Sequence, residues 1–140
     1  MEELDLKNLK LWISLLTPEK LEYCIEGDIL PIFTTRTLLN TPYVANWHET
    51  SVHFPEIAPS GILQKLWKYE GTIGEEEFKT KYILELNKIN FRRFLRKIDL
   101  MRTVCSAESV VLLGHPNDRL DIVADYINSM HILEDEITEL

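Results

Sequence analysis

Apolar and polar positions alternate near the start of the chain. Leu9, Leu11, Ile13 and Leu15 are separated by Lys10, Trp12 and Ser14. A period of two places the first set on one face of a strand. Leu9, Trp12, Ile13 and Leu16 would also align on a helix, and the strand is the favoured reading. Thr17-Pro18-Glu19 then opens a helix, with a capping hydroxyl, proline at the first position and an acid near the positive end of the dipole. Leu21, Cys24 and Ile25 supply its inner face and Gly27 ends it. Ile29 to Thr34 reads as a second strand, with Pro31 near its start, so that strand, helix and strand form a compact crossover.

Residues 40–60 have no periodicity and carry Pro42, Pro55 and Pro59 among the aromatic residues Tyr43, Trp47 and Phe54. A loop of this length is expected either to cover a crevice as a lid or to plug the core edge with Trp47 and Phe54. Ser60 caps a helix with the stripe Ile62, Leu63, Leu66 and Trp67, and Gly71 to Gly74 break it. Glu75-Glu76-Glu77 load the first turn of the next helix, whose apolar face is Phe78, Tyr82, Ile83, Leu86 and Ile89. A fourth helix follows over residues 88–103, burying Phe91, Phe94, Leu95, Ile98 and Met101.

The run Val110-Val111-Leu112-Leu113 lacks polar alternation, as expected of a strand covered on both faces of a parallel sheet. Gly114 and Pro116 end it, Asn117 or Asp118 caps a new helix, and Ile122, Val123, Tyr126, Ile127 and Met130 recur at helical spacing. The pattern predicts a small Rossmann-like α/β domain over residues 1–130. It would have two or three layers, helices around the sheet, and a short, mostly parallel sheet of about three to four strands. Residues 131–140 form an acidic tail in which Leu133, Ile137 and Leu140 fall at helical spacing. Docking on the domain, pairing in a homo-oligomer and contact with the basic helix all remain open for it.

Composition narrows the partners. The net charge of −8 opposes whole-surface attraction to nucleic acid or anionic lipid. No apolar run approaches the roughly 20 residues of a membrane helix, and no leader is recognisable, so a soluble cytoplasmic protein is expected. Cys24 and Cys105 lie far apart without a partner motif, which predicts two buried free thiols. His48 and His53 sit five apart without a ligand motif, so neither a metal nor a cofactor is expected.

Two groups of residues are candidates for binding. In open α/β sheets ligands gather at the carboxyl ends of the strands, near helix N-termini. That places Thr34, Thr35 and Arg36 after one strand, and Gly114, His115, Asn117 and Arg119 after another, as candidates for holding a small anion. The second group is Arg92, Arg93, Arg96 and Lys97, within a segment of six cations and one carboxylate. They would engage a protein partner, or simply form a solvated face balanced by acidic neighbours such as Glu134-Asp135-Glu136.

Three segments resemble a family found in bacteria, archaea and phages, the domain of unknown function numbered four hundred and eighty-eight. Leu30-Pro-Ile-Phe-Thr-Thr-Arg36 is similar to its early strand ending in a serine-arginine pair. Ala58-Pro-Ser60 with the helix to Tyr69, followed by Ile73-Gly-Glu-Glu-Glu-Phe78 and the helix to Leu86, is similar to its middle. Val110 to Leu113 and Val123 to Ile127 resemble its last strand and helix. Members usually carry a cysteine after that strand and a cysteine-histidine-arginine run opening the final helix. Here Gly114 stands in place of the cysteine, Asp118-Arg119-Leu120 opens the helix, and the loop is shorter. The resemblance therefore implies a degenerate copy of the domain, without the thiols, such as a phage or bacterial accessory protein.

The leading expectation is a non-catalytic binding or regulatory protein with a protein partner and no catalytic residue. The alternative is a binder or enzyme for a nucleotide-like or sugar-phosphate-like anion, using Arg36, His115 and Arg119. Nucleic-acid binding through residues 88–102 ranks last, given the acidity of the whole.

Overall fold

The computed structural model describes Leu6, residues 9–35 and residues 52–140, with Ile25 and Val52 described by backbone only. Strand β1 (Leu11–Leu15) leads through helix α1 (Pro18–Glu26) to β2 (Ile29–Phe33). The two-residue strand β3 (Val52–His53) follows. Helices α2 (Gly61–Gln64), α3 (Glu75–Leu86) and α4 (Phe91–Val104) come next. The chain ends with β4 (Ser109–Gly114), α5 (Leu120–Ser129) and β5 (Thr138–Glu139). The sheet order is β3-β2-β4-β1-β5, with every pairing parallel. This is the α/β class the hydrophobic pattern predicts, with short edge strands added.

The core has two sides because side chains alternate along each strand. Leu11, Ile13, Leu30, Ile32, Val110 and Leu112 pack against α3, α4 and α5. Phe33, Val111 and Leu113 pack on the other side with Leu21 and Cys24 of α1. All six residues of β4 are buried, which accounts for its continuous apolar run. The molecule therefore has three layers, with α1 alone supplying the described helical cover on its side.

Pro31 survives inside β2 for a geometric reason. The Thr34 N–H points to β4 and donates to the Leu113 carbonyl (2.9 Å), while the Phe33 carbonyl points to β3 and accepts from Phe54 N–H (2.9 Å). Alternation turns the Pro31 nitrogen toward β3, whose pairing starts only opposite Ile32. The missing N–H therefore removes no ladder bond.

Several local expectations hold and others are corrected. Thr17 Oγ1 accepts from Lys20 N–H (3.2 Å), and Ser60 Oγ accepts from Leu63 N–H (3.1 Å), as caps. Gly27 follows α1, but the left-handed residue is Asp28, with φ 62°. Ile62 is exposed rather than part of the inner stripe, because α2 runs only four residues before a π turn (Lys65–Tyr69) changes its phase. Cys24 is buried as expected, whereas Cys105 is exposed just beyond the last turn of α4. Asp118 does not cap α5; it closes its own loop, and α5 opens after Arg119 in the left-handed conformation.

The tail is extended, not helical. Ile137 is buried in the main core, and β5 pairs with the outer edge of β1. Phe54 packs on the core edge, with its ring 6.3 Å from that of Phe94. Arg36 lies outside the described residues, as do Tyr43, Trp47 and His48 with the 40–51 part of the possible lid. Among the described residues no helix is long and apolar enough to cross a membrane.

Candidate functional sites at the strand ends and on the basic helix

Strand β4 is flanked by β1 and β2, so the β1–α1–β2 crossover passes over it on one side of the sheet. The β4–α5–β5 crossover runs the opposite way, over β1, and right-handedness puts α5 on the other side. The chain therefore leaves β1 and β4 toward opposite faces, and a crevice opens between their carboxyl ends. A cleft of about 510 Å³ lies there. Its floor is Ile13, Ser14 and Leu15 of β1 with Gly114, His115 and Pro116 after β4. Its walls are Lys20 of α1, Leu120 and Asp121 of α5, and Glu139 and Leu140 at the tail.

The loop after β4 is held from within. His115 N–H donates to Asp118 Oδ2 (2.8 Å), and Asp118 N–H donates to the His115 carbonyl (2.9 Å). Gln64 Nε2 reaches Asp118 Oδ1 and the Asn117 carbonyl, each at 3.4 Å. These bonds fix where His115 enters the cleft.

Arg119 does not line the cleft. Its Nε and one terminal nitrogen donate to Asp121 Oδ1 (3.0 Å) and Oδ2 (2.9 Å). The other terminal nitrogen pairs with the Glu75 carboxylate, and the guanidinium lies 5.3 Å from the Trp67 ring centre and 5.7 Å from that of Phe78. Its donors are spent on two protein carboxylates, and its hydrogen bond keeps the Asp121 carboxyl below its ordinary range, against the opposing effect of burial. Thr34 is similarly committed, donating from Oγ1 to the Leu113 carbonyl (3.0 Å). Thr35 is buried, and its Oγ1 has no partner among the described residues. The Thr35 carbonyl accepts from His53 Nε2 (2.6 Å). Of the seven strand-end candidates, then, Gly114 and His115 meet at the cleft. Thr34 and Thr35 are buried just beyond the end of β2, Asn117 and Arg119 face α2 and α3, and Arg36 lies outside the described residues.

Lys20, Asp121, Glu139 and Leu140 were not among the sequence candidates. The first two were legible: each stands in the first turn of a helix that follows a strand, and such turns collect at the carboxyl rim of a parallel sheet. Glu139 and Leu140 reach the cleft only because the tail adds a strand beside β1. Among the described residues, no group of three or more His, Cys, Asp or Glu side chains could hold a metal.

The second site is the outer face of α4. Asn90 caps this helix through Arg93 N–H (3.1 Å). Arg92, Arg93 and Arg96 are exposed, and no carboxylate among the described residues pairs with them. Lys97 differs, reaching Glu56 Oε1 (2.6 Å) and lying 4.0 Å from the centre of the Phe54 ring. The tail offers no balance, since it docks at β1, where Asp135 stands 3.9 Å from Lys10. Farther along α4, Leu100 and Val104 are 61% and 70% exposed. A recess of about 300 Å³ lies beside Arg93, Lys97 and Phe94.

Compared with family models, curated proteins and solved structures, the chain matches none.

Proposed function

We propose that the protein is a non-catalytic binding or regulatory module whose α4 face receives an acidic protein partner. The observation that carries this reading is the set of neighbouring arginines Arg92, Arg93 and Arg96, unpaired among the described residues on a chain of net charge −8. Adjacent cations repel one another, and partner carboxylates would relieve that repulsion through the forked donors of arginine. Leu100 and Val104, farther along the helix, would pack on apolar side chains of the same partner, and arginine is among the residues that dominate such interfaces. A nucleic-acid backbone would use the arginines alone and leave Leu100 and Val104 uncovered.

Arg119, bound to two carboxylates, speaks against the grip on an anion that the sequence suggests. The resemblance to a thiol-bearing domain, with Gly114 in place of its cysteine, supports a role without thiol chemistry. Two free thiols, one of them exposed, suit a reducing compartment, and we place the activity in the cytoplasm.

The test uses immobilised protein carrying Arg92→Glu, Arg93→Glu and Arg96→Glu beside the unaltered protein and a His115→Ala control. A partner retained by the unaltered and His115→Ala forms, and lost by the triple variant, is the expected result. Equal retention by the triple variant would remove α4 from the function, as would loss through His115→Ala alone.

A further inference from the structure

We propose that the cleft at the ends of β1, β4 and β5 is a separate binding site for a small amine. Its ammonium would lie between the carboxylates of Asp121 and Glu139, and its hydrocarbon body against Leu15, Leu120 and Leu140.

Size and position come first. The cleft volume of about 510 Å³ falls in the range of small-molecule sites, and it opens where the chain leaves two neighbouring strands toward opposite faces. Its walls combine an apolar body with a few polar groups, the usual balance for fixing a ligand's orientation.

The polar groups decide the sign of the charge. Two carboxylates, Asp121 and Glu139, line the cleft. Glu139 has no ion-pair partner among the described residues, and β5 holds it in register with Ile13 on the cleft floor. The one lining ammonium, Lys20 Nζ, donates to the Leu140 carbonyl (2.7 Å) and so ties two walls together. Arg119, which does not line the cleft, bonds once to each Asp121 oxygen and turns its other terminal nitrogen to Glu75, so each Asp121 oxygen keeps a lone pair for a ligand's ammonium although the pair's charge is largely offset. Lys20 keeps two of its three ammonium protons beyond its bond to Leu140, so what opposes an anion here is the pair of lining carboxylates. An ammonium meets acceptors, and the net charge of the protein favours its approach.

The test is a titration of the ¹⁵N-labelled full chain, followed by backbone amide shifts, with phenethylamine and with 3-phenylpropionate, which carries the opposite charge on a similar body. Phenethylamine is expected to move the amides of Gly114, His115, Leu120, Asp121 and Glu139 saturably, while 3-phenylpropionate leaves them in place. Glu139→Gln, on an exposed two-residue strand, should weaken the amine about tenfold, the loss of one charge-assisted hydrogen bond. Asp121→Asn gives a second measure of the same effect should Glu139→Gln disturb β5. N-acetyl-lysine methylamide, run in parallel, distinguishes a lysine side chain from a free amine as the source of the ammonium. Equal or stronger shifts with 3-phenylpropionate, amine shifts absent from the cleft, or unchanged affinity in both variants would overturn the proposal.

Discussion

The side-chain amide of Asn128 meets both backbone polar groups of Ile137: Oδ1 accepts from its N–H at 2.8 Å and Nδ2 donates to its carbonyl at 3.2 Å. One residue of α5 thus replaces the two hydrogen bonds a neighbouring strand would supply. It pins the tail just before β5, whose own pairing with β1 is only two residues long. The buried Ile137 side chain gives that pin an apolar anchor.

Asn128→Ala should free the tail without unfolding the domain. We expect a loss of about 1–2 kcal/mol in global stability, from two hydrogen bonds in a half-buried setting. The larger effect should be local. Hydrogen exchange of the Leu140 amide, which donates to the Ile13 carbonyl at 2.9 Å, should accelerate far more than that of β4 amides. Unchanged protection at Leu140 would show that β5 holds itself.

Gly114→Ala should destabilise the protein by about 1–3 kcal/mol in a urea melt, through crowding. A methyl group there would stand 3.1 Å from Leu120 Cδ1 and 3.2 Å from both Asp118 Oδ2 and Thr34 Oγ1. Each of those neighbours is fixed by packing or hydrogen bonds. The same closeness leaves no room at this position for any side chain larger than a hydrogen atom.

Arg119→Gly should be less harmful than Arg119→Ala, the reverse of the usual order. Both lose the bridge to Glu75 and Asp121 and the packing on Trp67 and Phe78. The bridge itself is worth little where its carboxylates are 52% and 60% exposed. Alanine must also hold the left-handed φ of 51°, which glycine adopts at no steric cost, so the two should differ by about 1 kcal/mol in urea melts. The pH profile offers a second readout. The Asp121 carboxyl titrates below its ordinary value when folded, so its contribution is present above that value and is lost as the pH falls below it. Both variants should show a flatter acid limb than the unaltered protein.

The two cysteines should separate cleanly toward an alkylating reagent. Cys105 is exposed and should react at once, whereas Cys24 should react only after denaturation. Burial pushes the Cys24 thiol from 9.0 up to about 11, with Lys20 pulling weakly the other way. The folded state therefore favours the neutral thiol. Its contribution is complete below about pH 9 and is lost as the pH rises toward about 11. Cys24→Ala should remove that alkaline decline from the stability profile.

The order of elements was legible because each leaves a local mark. The alternation at Leu9 to Leu15, the Thr17-Pro18-Glu19 start, the Ser60 cap and the unbroken Val110 to Leu113 run act through neighbouring residues. Parallel pairing followed from β4, since only a strand covered on both faces tolerates so apolar a sequence. What the chain alone left open depends on contacts between distant segments. Arg119 looked free until α3 brought Glu75 to it. The tail looked helical by spacing, yet the edge of β1 and the amide of Asn128 offered its backbone better partners than a helix of its own. Sequence thus determined the strands, helices and crossovers, whose energetics are local. The tertiary structure decided which charges are spent and which face solvent, because an ion pair or an edge strand exists only once both of its halves have met.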